Sequence, residues 1–162
     1  MAMMIDWHAH HTAPEVAERI RELTGKRPHI DGYDSPDLVK RVKEMDEVGL
    51  DFQLICQGAG IYADQLPADQ ALEIVRQSND VLAQRIAPHK DRLAGITALS
   101  LKNIDASVKE IERTAAKNFR AVLLYPHVDG EMLVEELAHV DIATCAIVRI
   151  AAIPIEHHIE HR

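Results

Sequence analysis

Two histidines one residue apart, His8 and His10, stand near the start of the chain, directly after Met3-Met4-Ile5-Asp6. Alternate side chains of a strand share a face, so this spacing puts both imidazoles on one side, where they can grip one divalent cation. Neutral imidazole is a good ligand for zinc and other first-row metals, with zinc the first expectation and manganese the second. His11 then points the opposite way or enters the following loop. Asp6 has the same parity as the pair and reads either as an acceptor orienting an imidazole or as a solvated strand-end acid. The chain carries 10 histidines in 162 residues, and a second cluster, His157, His158 and His161, lies near its end. His158 is a third candidate ligand, although a polar, solvated tail is the plainer reading of that segment. Arg27 or Lys26 could pair with a substrate carboxylate, with a solvated loop as the alternative. His127 and Tyr125 fall just past a strand end, where His127 is a further candidate for binding substrate and Tyr125 reads more as a packing residue. His29, His89 and His139 read as surface histidines.

The elements that must position these residues alternate between short apolar runs and helical stretches. Met3 to Asp6 reads as a strand running into the histidines. Thr24 to Gly32 reads as an irregular loop. Ser35-Pro36-Asp37 carries the signals of a helix start, Leu38, Val42 and Met45 recur at helical spacing, and Gly49 supplies the C-cap. Asp51 to Cys56 is a second strand, followed by the loop Gln57-Gly58-Ala59-Gly60. Ala68 to Ala87 is the longest helix, its stripe of Leu72, Val75, Leu82 and Ile86 interrupted by Asn79. A buried amide needs hydrogen bonds, so Asn79 is expected to pin a neighbouring loop. Leu93 to Leu99 is a third strand, Ile104, Val108, Ile111 and Ala115 stripe the next helix, and Arg120 to Tyr125 is a fourth strand. Past Gly130 the pattern weakens, with a helix over Glu131 to Val140 and a fifth strand over Ile147 to Ile155. Alternating strands and helices imply βαβ units and a parallel sheet, and near-continuous apolar strands imply a sheet covered on both faces.

Composition excludes several classes. The formal net charge is -8 and hydrophobic residues make up 47%, and no Lys/Arg cluster exists, so neither nucleic acid nor an anionic membrane is the expected partner. No apolar run reaches the roughly 18 residues that cross a bilayer, and the start lacks a basic segment followed by an apolar core, so no signal peptide is expected. Of the 2 cysteines, Cys56 and Cys145, each lies in an apolar run and reads as a buried thiol in a reducing cytoplasm rather than half of a disulfide.

The run Ile5-Asp6-Trp7-His8-Ala9-His10, with Pro14 following, resembles the opening of amidohydrolase-related proteins of the aminocarboxymuconate-semialdehyde decarboxylase type. The resemblance continues in order through Met45-Asp46-Glu47-Val48-Gly49-Leu50-Asp51, Asn79-Asp80, Asp91-Arg92-Leu93-Ala94-Gly95 and Asn118-Phe119-Arg120-Ala121-Val122, where Asn118 and Ala121 stand in place of glycines. It covers about residues 4 to 130. It implies a (β/α)8 barrel and a divalent metal held by the two histidines of the first strand, a histidine of a middle strand and a late aspartate. It also implies decarboxylation, hydration or hydrolysis of small, often aromatic-derived, carboxylic acids.

A full barrel of this type takes on the order of 250 residues. The expected fold is therefore a partial, truncated TIM-type β/α barrel with four to five parallel strands: residues 1–162 as a single domain and 131–162 as a divergent segment. The late aspartate has no candidate. Two unpaired sheet edges and an uncovered apolar interior lead to the expectation of a homo-oligomer. The competing reading is a catalytically incomplete fragment that needs a partner chain to complete its sheet. An open flavodoxin-like domain ranks last, because no Gly-rich phosphate turn follows the first strand.

Overall fold

The computed structural model describes residues 3–26, 28, 38–57, 62–124, 127–128, 131–132 and 146–149. Strands β1 (Ile5–His10), β2 (Phe52–Cys56), β3 (Leu93–Thr97) and β4 (Phe119–Leu124) pair in parallel and in sequence order. Helices α1 (Pro14–Thr24) and α2 (Val39–Val48) fall between β1 and β2, α3 (Ala68–Ile86) between β2 and β3, and α4 (Ile104–Ala115) between β3 and β4. Four parallel strands so connected form half of a barrel, as the alternation in the sequence predicts.

The two faces of this sheet divide the apolar residues. Leu54 and Cys56 of β2, Ala94 and Ile96 of β3, and Ala121 and Leu123 of β4 form one buried cluster, joined by Ile5 of β1. Ala9, Ile55, Leu93 and Phe119 point the other way and pack with Leu38 and Met45 of the α2 segment and Leu82 and Ile86 of α3. Strand-face parity thus puts Cys56 on the inner face and Ala9 on the helix face. The expectation of an uncovered apolar interior is corrected: the inner-face residues of β2 to β4 are buried within this one chain.

Particular residues explain the local geometry. Gly49 takes a left-handed backbone, φ 72°, and closes α2 through its N–H to Asp46 and Met45, the cap that a glycine allows without a Cβ penalty. Asn118 also has positive φ, 64°, a region that asparagine tolerates, and its side chain donates to Leu93 O at 2.9 Å. Gly95 lies under the Phe119 ring, where an added Cβ would come within 2.6 Å of the aromatic carbons. Arg92 stitches the end of α2 to the sheet by donating to Asp46, Leu50 O and Asp51 O. Asn79 pins the chain after β3, as expected: its Oδ1 accepts from Ala98 N and its Nδ2 donates to Ala98 O, both at 3.0 Å.

Four expectations are corrected. The first strand begins at Ile5 rather than Met3 and carries the histidine pair through to His10, because pairing with β2 continues through His10 to Cys56. Helix α4 buries Ser107, Glu110 and Thr114, while Ile104 and Val108 are exposed. Polar bonds set this orientation: Ser107 Oγ donates to Ser100 O, Thr114 meets Thr97 through their hydroxyls, and Asn79 donates to Glu110. The start of the expected helix over 131–140 is instead β6 (Glu131–Met132), paired with β5 (His127–Val128); the rest of that span lies outside the described residues. The fifth sheet strand, β7 (Ala146–Arg149), is antiparallel to β4, an orientation whose ladder is slightly stronger per residue and needs no crossover helix. The proposed helix start Ser35-Pro36-Asp37 lies outside the described residues.

Candidate metal centre

His8 and His10 occupy the C-terminal end of β1, the end at which parallel β/α sheets place their sites. Their ring centroids lie 4.6 Å apart at an interplanar angle of 41°. The pairing of β1 with β2 shows how the strand delivers them. Asp6 pairs with Gln53 and Ala9 with Ile55, so three residue steps on β1 oppose two on β2. The extra residue is a bulge at Trp7-His8, a device that re-aims a side chain at a strand end.

The bulge takes the His8 backbone out of the ladder, and side chains hold it instead. Asp6 Oδ1 accepts from His8 N at 3.1 Å, and Asp6 Oδ2 accepts from Gln53 Nε2 at 2.7 Å. Gln53 Oε1 in turn accepts from Arg41 Nη1 at 2.9 Å, and Arg41 Nη2 donates to His10 O at 2.6 Å. Arg41 and Gln53 are both buried. The network ties the backbone on both sides of Ala9 to α2 and β2. Asp6 therefore orients the main chain of the pair, and the sequence expectation that it might orient an imidazole is corrected. Arg41 was not foreseen: on a helix face it reads as an exposed cation.

His11 is separate from the pair. It is fully buried, and its Nε2 lies 2.9 Å from Arg85 Nη1; guanidinium only donates, so this nitrogen accepts. Arg85 also makes a bidentate pair with Glu15 at 2.8 and 2.9 Å. His11 thus joins α1, α3 and the end of β1 as a structural element.

The third side chain at the pair is Cys56. Its Sγ lies 3.4 Å from His10 Nδ1 and donates to Ala9 O at 3.4 Å. One ligand atom from each of His8, His10 and Cys56 lies within 4.8 Å of the others, the spacing of a set that could hold a metal ion. His8 Nε2 is buried and has no hydrogen-bond partner among the described residues. Buried nitrogens are rarely left so, and an unpartnered imidazole nitrogen on a ring that belongs to such a cluster suits a cation. Lys26 is engaged by Gln65 through its ammonium group. Arg27, Tyr125 and His158 lie outside the described residues, and of His127 only the backbone, in β5, is described.

A second gathering of charge lies between α3 and α4. Glu110 is fully buried and accepts from Arg113 Nε at 2.8 Å, Arg113 Nη2 at 2.7 Å and Asn79 Nδ2 at 2.8 Å, with Arg76 Nε at 3.5 Å. The bond to Glu110 raises the Arg113 guanidinium above its ordinary pKa; burial opposes this, and Asp80 adds to it. Burial pushes Asp80 upward, but hydrogen bonds from Lys117 and Arg113 outweigh it and hold the carboxyl below its ordinary value.

No helix among the described residues is long and apolar enough to cross a membrane. No family model matches the chain. Over 73 residues, 45% of the chain, it is 34% identical to gamma-resorcylate decarboxylase from Rhodococcus jostii, and this match spans 22% of that protein. The fold is similar to 2,6-dihydroxybenzoate decarboxylase from Rhizobium, with a TM-score of 0.59 and 26% identity over 82% of this chain and 42% of that one. It is also similar to 5-carboxyvanillate decarboxylase from Novosphingobium aromaticivorans, solved with manganese and 4-hydroxy-3-methoxy-5-nitrobenzoic acid, with a TM-score of 0.65 and 19% identity over 83% of this chain and 44% of that one. The chain spans less than half the length of each of these relatives.

Proposed function

The chain matches the amidohydrolase-related decarboxylases over part of its length, and on that premise we propose that it serves a metal-dependent decarboxylation of a small aromatic carboxylic acid. The observation that carries this reading is the His8–His10 pair, with rings 4.6 Å apart at a strand end and one buried nitrogen unpartnered among the described residues. Those two histidines would hold the cation. Zinc is our assignment and manganese the alternative, the latter supported by the manganese of the Novosphingobium relative. When bound, the cation supplies a Lewis acid that draws negative charge from a substrate carboxylate or phenolate.

The chain's own part in this reading is to hold and orient. Asp6, Gln53 and Arg41 fix the backbone on which the pair is mounted. The inner-face residues Leu54, Ile96 and Leu123 pack together as a buried apolar layer that keeps the strands in register. In the reaction the bond from ring carbon to carboxylate breaks, carbon dioxide leaves, and the ring carbon takes up a proton. Hydrolysis or hydration of a related acid is the competing chemistry, since one metal scaffold supports several reactions.

Self-association and a cytoplasmic setting belong to the same proposal. β1 is the end strand of the sheet among the described residues, and Trp7 on it and Met3 and Met4 just before it are exposed, which favours pairing with another chain. A buried Cys56 that forms no disulfide suits a reducing compartment.

The test is to load the purified chain with zinc or manganese and follow carbon dioxide release from a panel of hydroxylated benzoates that includes 2,6-dihydroxybenzoate. The proposal expects release that stops on chelation and in His8→Ala and His10→Ala. A metal-loaded chain inert toward the whole panel would count against it.

A further inference from the structure

We propose that Cys56 is the third protein ligand of the cation held by His8 and His10, so that the first two strands by themselves build a two-imidazole, one-thiolate centre. The inference rests on the metal reading of the histidine pair and adds to it a ligand from a different strand.

Strand register is the first argument. His10 pairs with Cys56 in the β1–β2 ladder, and Cys56 belongs to the inner-face cluster, the face opposite Ala9 and Ile55. Neighbouring parallel strands lie about 4.8 Å apart, so a residue in register with a ligand and on its face is already at coordinating range. Distance is the second argument. With zinc–sulfur near 2.3 Å and zinc–nitrogen near 2.0–2.1 Å, tetrahedral geometry sets sulfur and nitrogen about 3.5 Å apart; Cys56 Sγ and His10 Nδ1 lie 3.4 Å apart. The third argument is the orphaned His8 Nε2. A thiol hydrogen-bonded to a single imidazole would explain the sulfur contact but would leave that buried nitrogen without a partner, whereas a shared cation accounts for both.

Coordination replaces the thiol proton by the metal. Cys56 loses its hydrogen bond to Ala9 O, and one proton leaves to solvent for each thiolate–metal bond formed. A thiolate also changes which metal the centre prefers, since soft sulfur favours zinc over manganese.

Cobalt(II) is the probe. Added to the metal-free chain, it is expected to bind at one per chain and to give the intense near-ultraviolet band of thiolate-to-cobalt charge transfer. The band should vanish in Cys56→Ser and Cys56→Ala and persist in Cys145→Ser. In competition, the preference for zinc over manganese should fall by about ten-fold or more in Cys56→Ser. X-ray absorption of the zinc-loaded natural sequence, which needs no variant to fold, should contain one zinc–sulfur distance near 2.3 Å. Cobalt bound without the band, or a zinc shell of nitrogen and oxygen only, overturns the Cys56 assignment and leaves the histidine pair standing. The same holds if the band is absent and His158→Ala abolishes binding, which would give the third position to His158. Failure of the natural chain to bind any cobalt or zinc overturns both readings together.

Discussion

Two regions of this molecule gather polar side chains out of water, and they do so in opposite ways. Between α3 and α4, Glu110 is fully buried with three hydrogen bonds from Arg113 and Asn79 and an ion pair to Arg76. At the end of β1, His8 Nε2 is equally hidden and meets no partner among the described residues, although Asp6, Gln53 and Arg41 fix the backbone around it. The first region has satisfied its charges internally and so serves as scaffold. The second has a fixed frame and an unfilled valence, the combination expected where a ligand completes the structure.

If that contrast is right, substitutions in the two regions separate binding from stability. The largest effect belongs to the pair: His8→Ala or His10→Ala should lower zinc affinity by at least about 100-fold, with little change in the urea midpoint. Next is Glu110→Ala, which strands two guanidinium groups beside a buried site. It should cost about 3 kcal/mol or more in urea unfolding and leave zinc affinity unaltered. A drop in zinc affinity comparable to that of the histidine variants would break the comparison.

The network beneath the pair sharpens the contrast, because Arg41 belongs to the frame yet acts on the site. Arg41→Met should reduce zinc affinity by about 10-fold, measured by competition with a chromogenic chelator, while the histidines stay in place.

The smallest effect lies in Asp80 at the rim of the satisfied region. Its folded-state pKa is depressed by Lys117 and Arg113. The stability it contributes is therefore complete above the unfolded value of about 3.9 and is lost as pH falls through the lower folded value. The carboxylate is 42% exposed, so Asp80→Asn should cost under about 1 kcal/mol at pH 7. The gap between variant and natural chain should close in denaturant titrations carried below pH 4.

Much of this was legible in the sequence where a simple period governs. The two-residue repeat of a strand is enough to put His8 and His10 on one face, and the β/α alternation yields the four parallel strands. Asn79 was readable because a lone amide on an apolar stripe must find partners. Helix α4 departs from its apolar stripe for the converse reason: Glu110 and Thr114 find partners on α3 and β3 far off in sequence, and Ser107 bonds the chain leading into the helix. Cys56 was equally hidden. As one residue of an apolar run it looks like core filling, and only the register of β1 on β2, shifted by the bulge at Trp7-His8, brings it to His10. Arg41 depends on the same register, through Gln53.

A divalent cation at the end of β1 depends on His8 and His10. Equilibrium dialysis of the metal-free chain against zinc, beside the His8→Ala/His10→Ala double variant, tests it most directly. About one zinc is expected per natural chain and none above background in the variant. Equal zinc in both, or none in either, would contradict it.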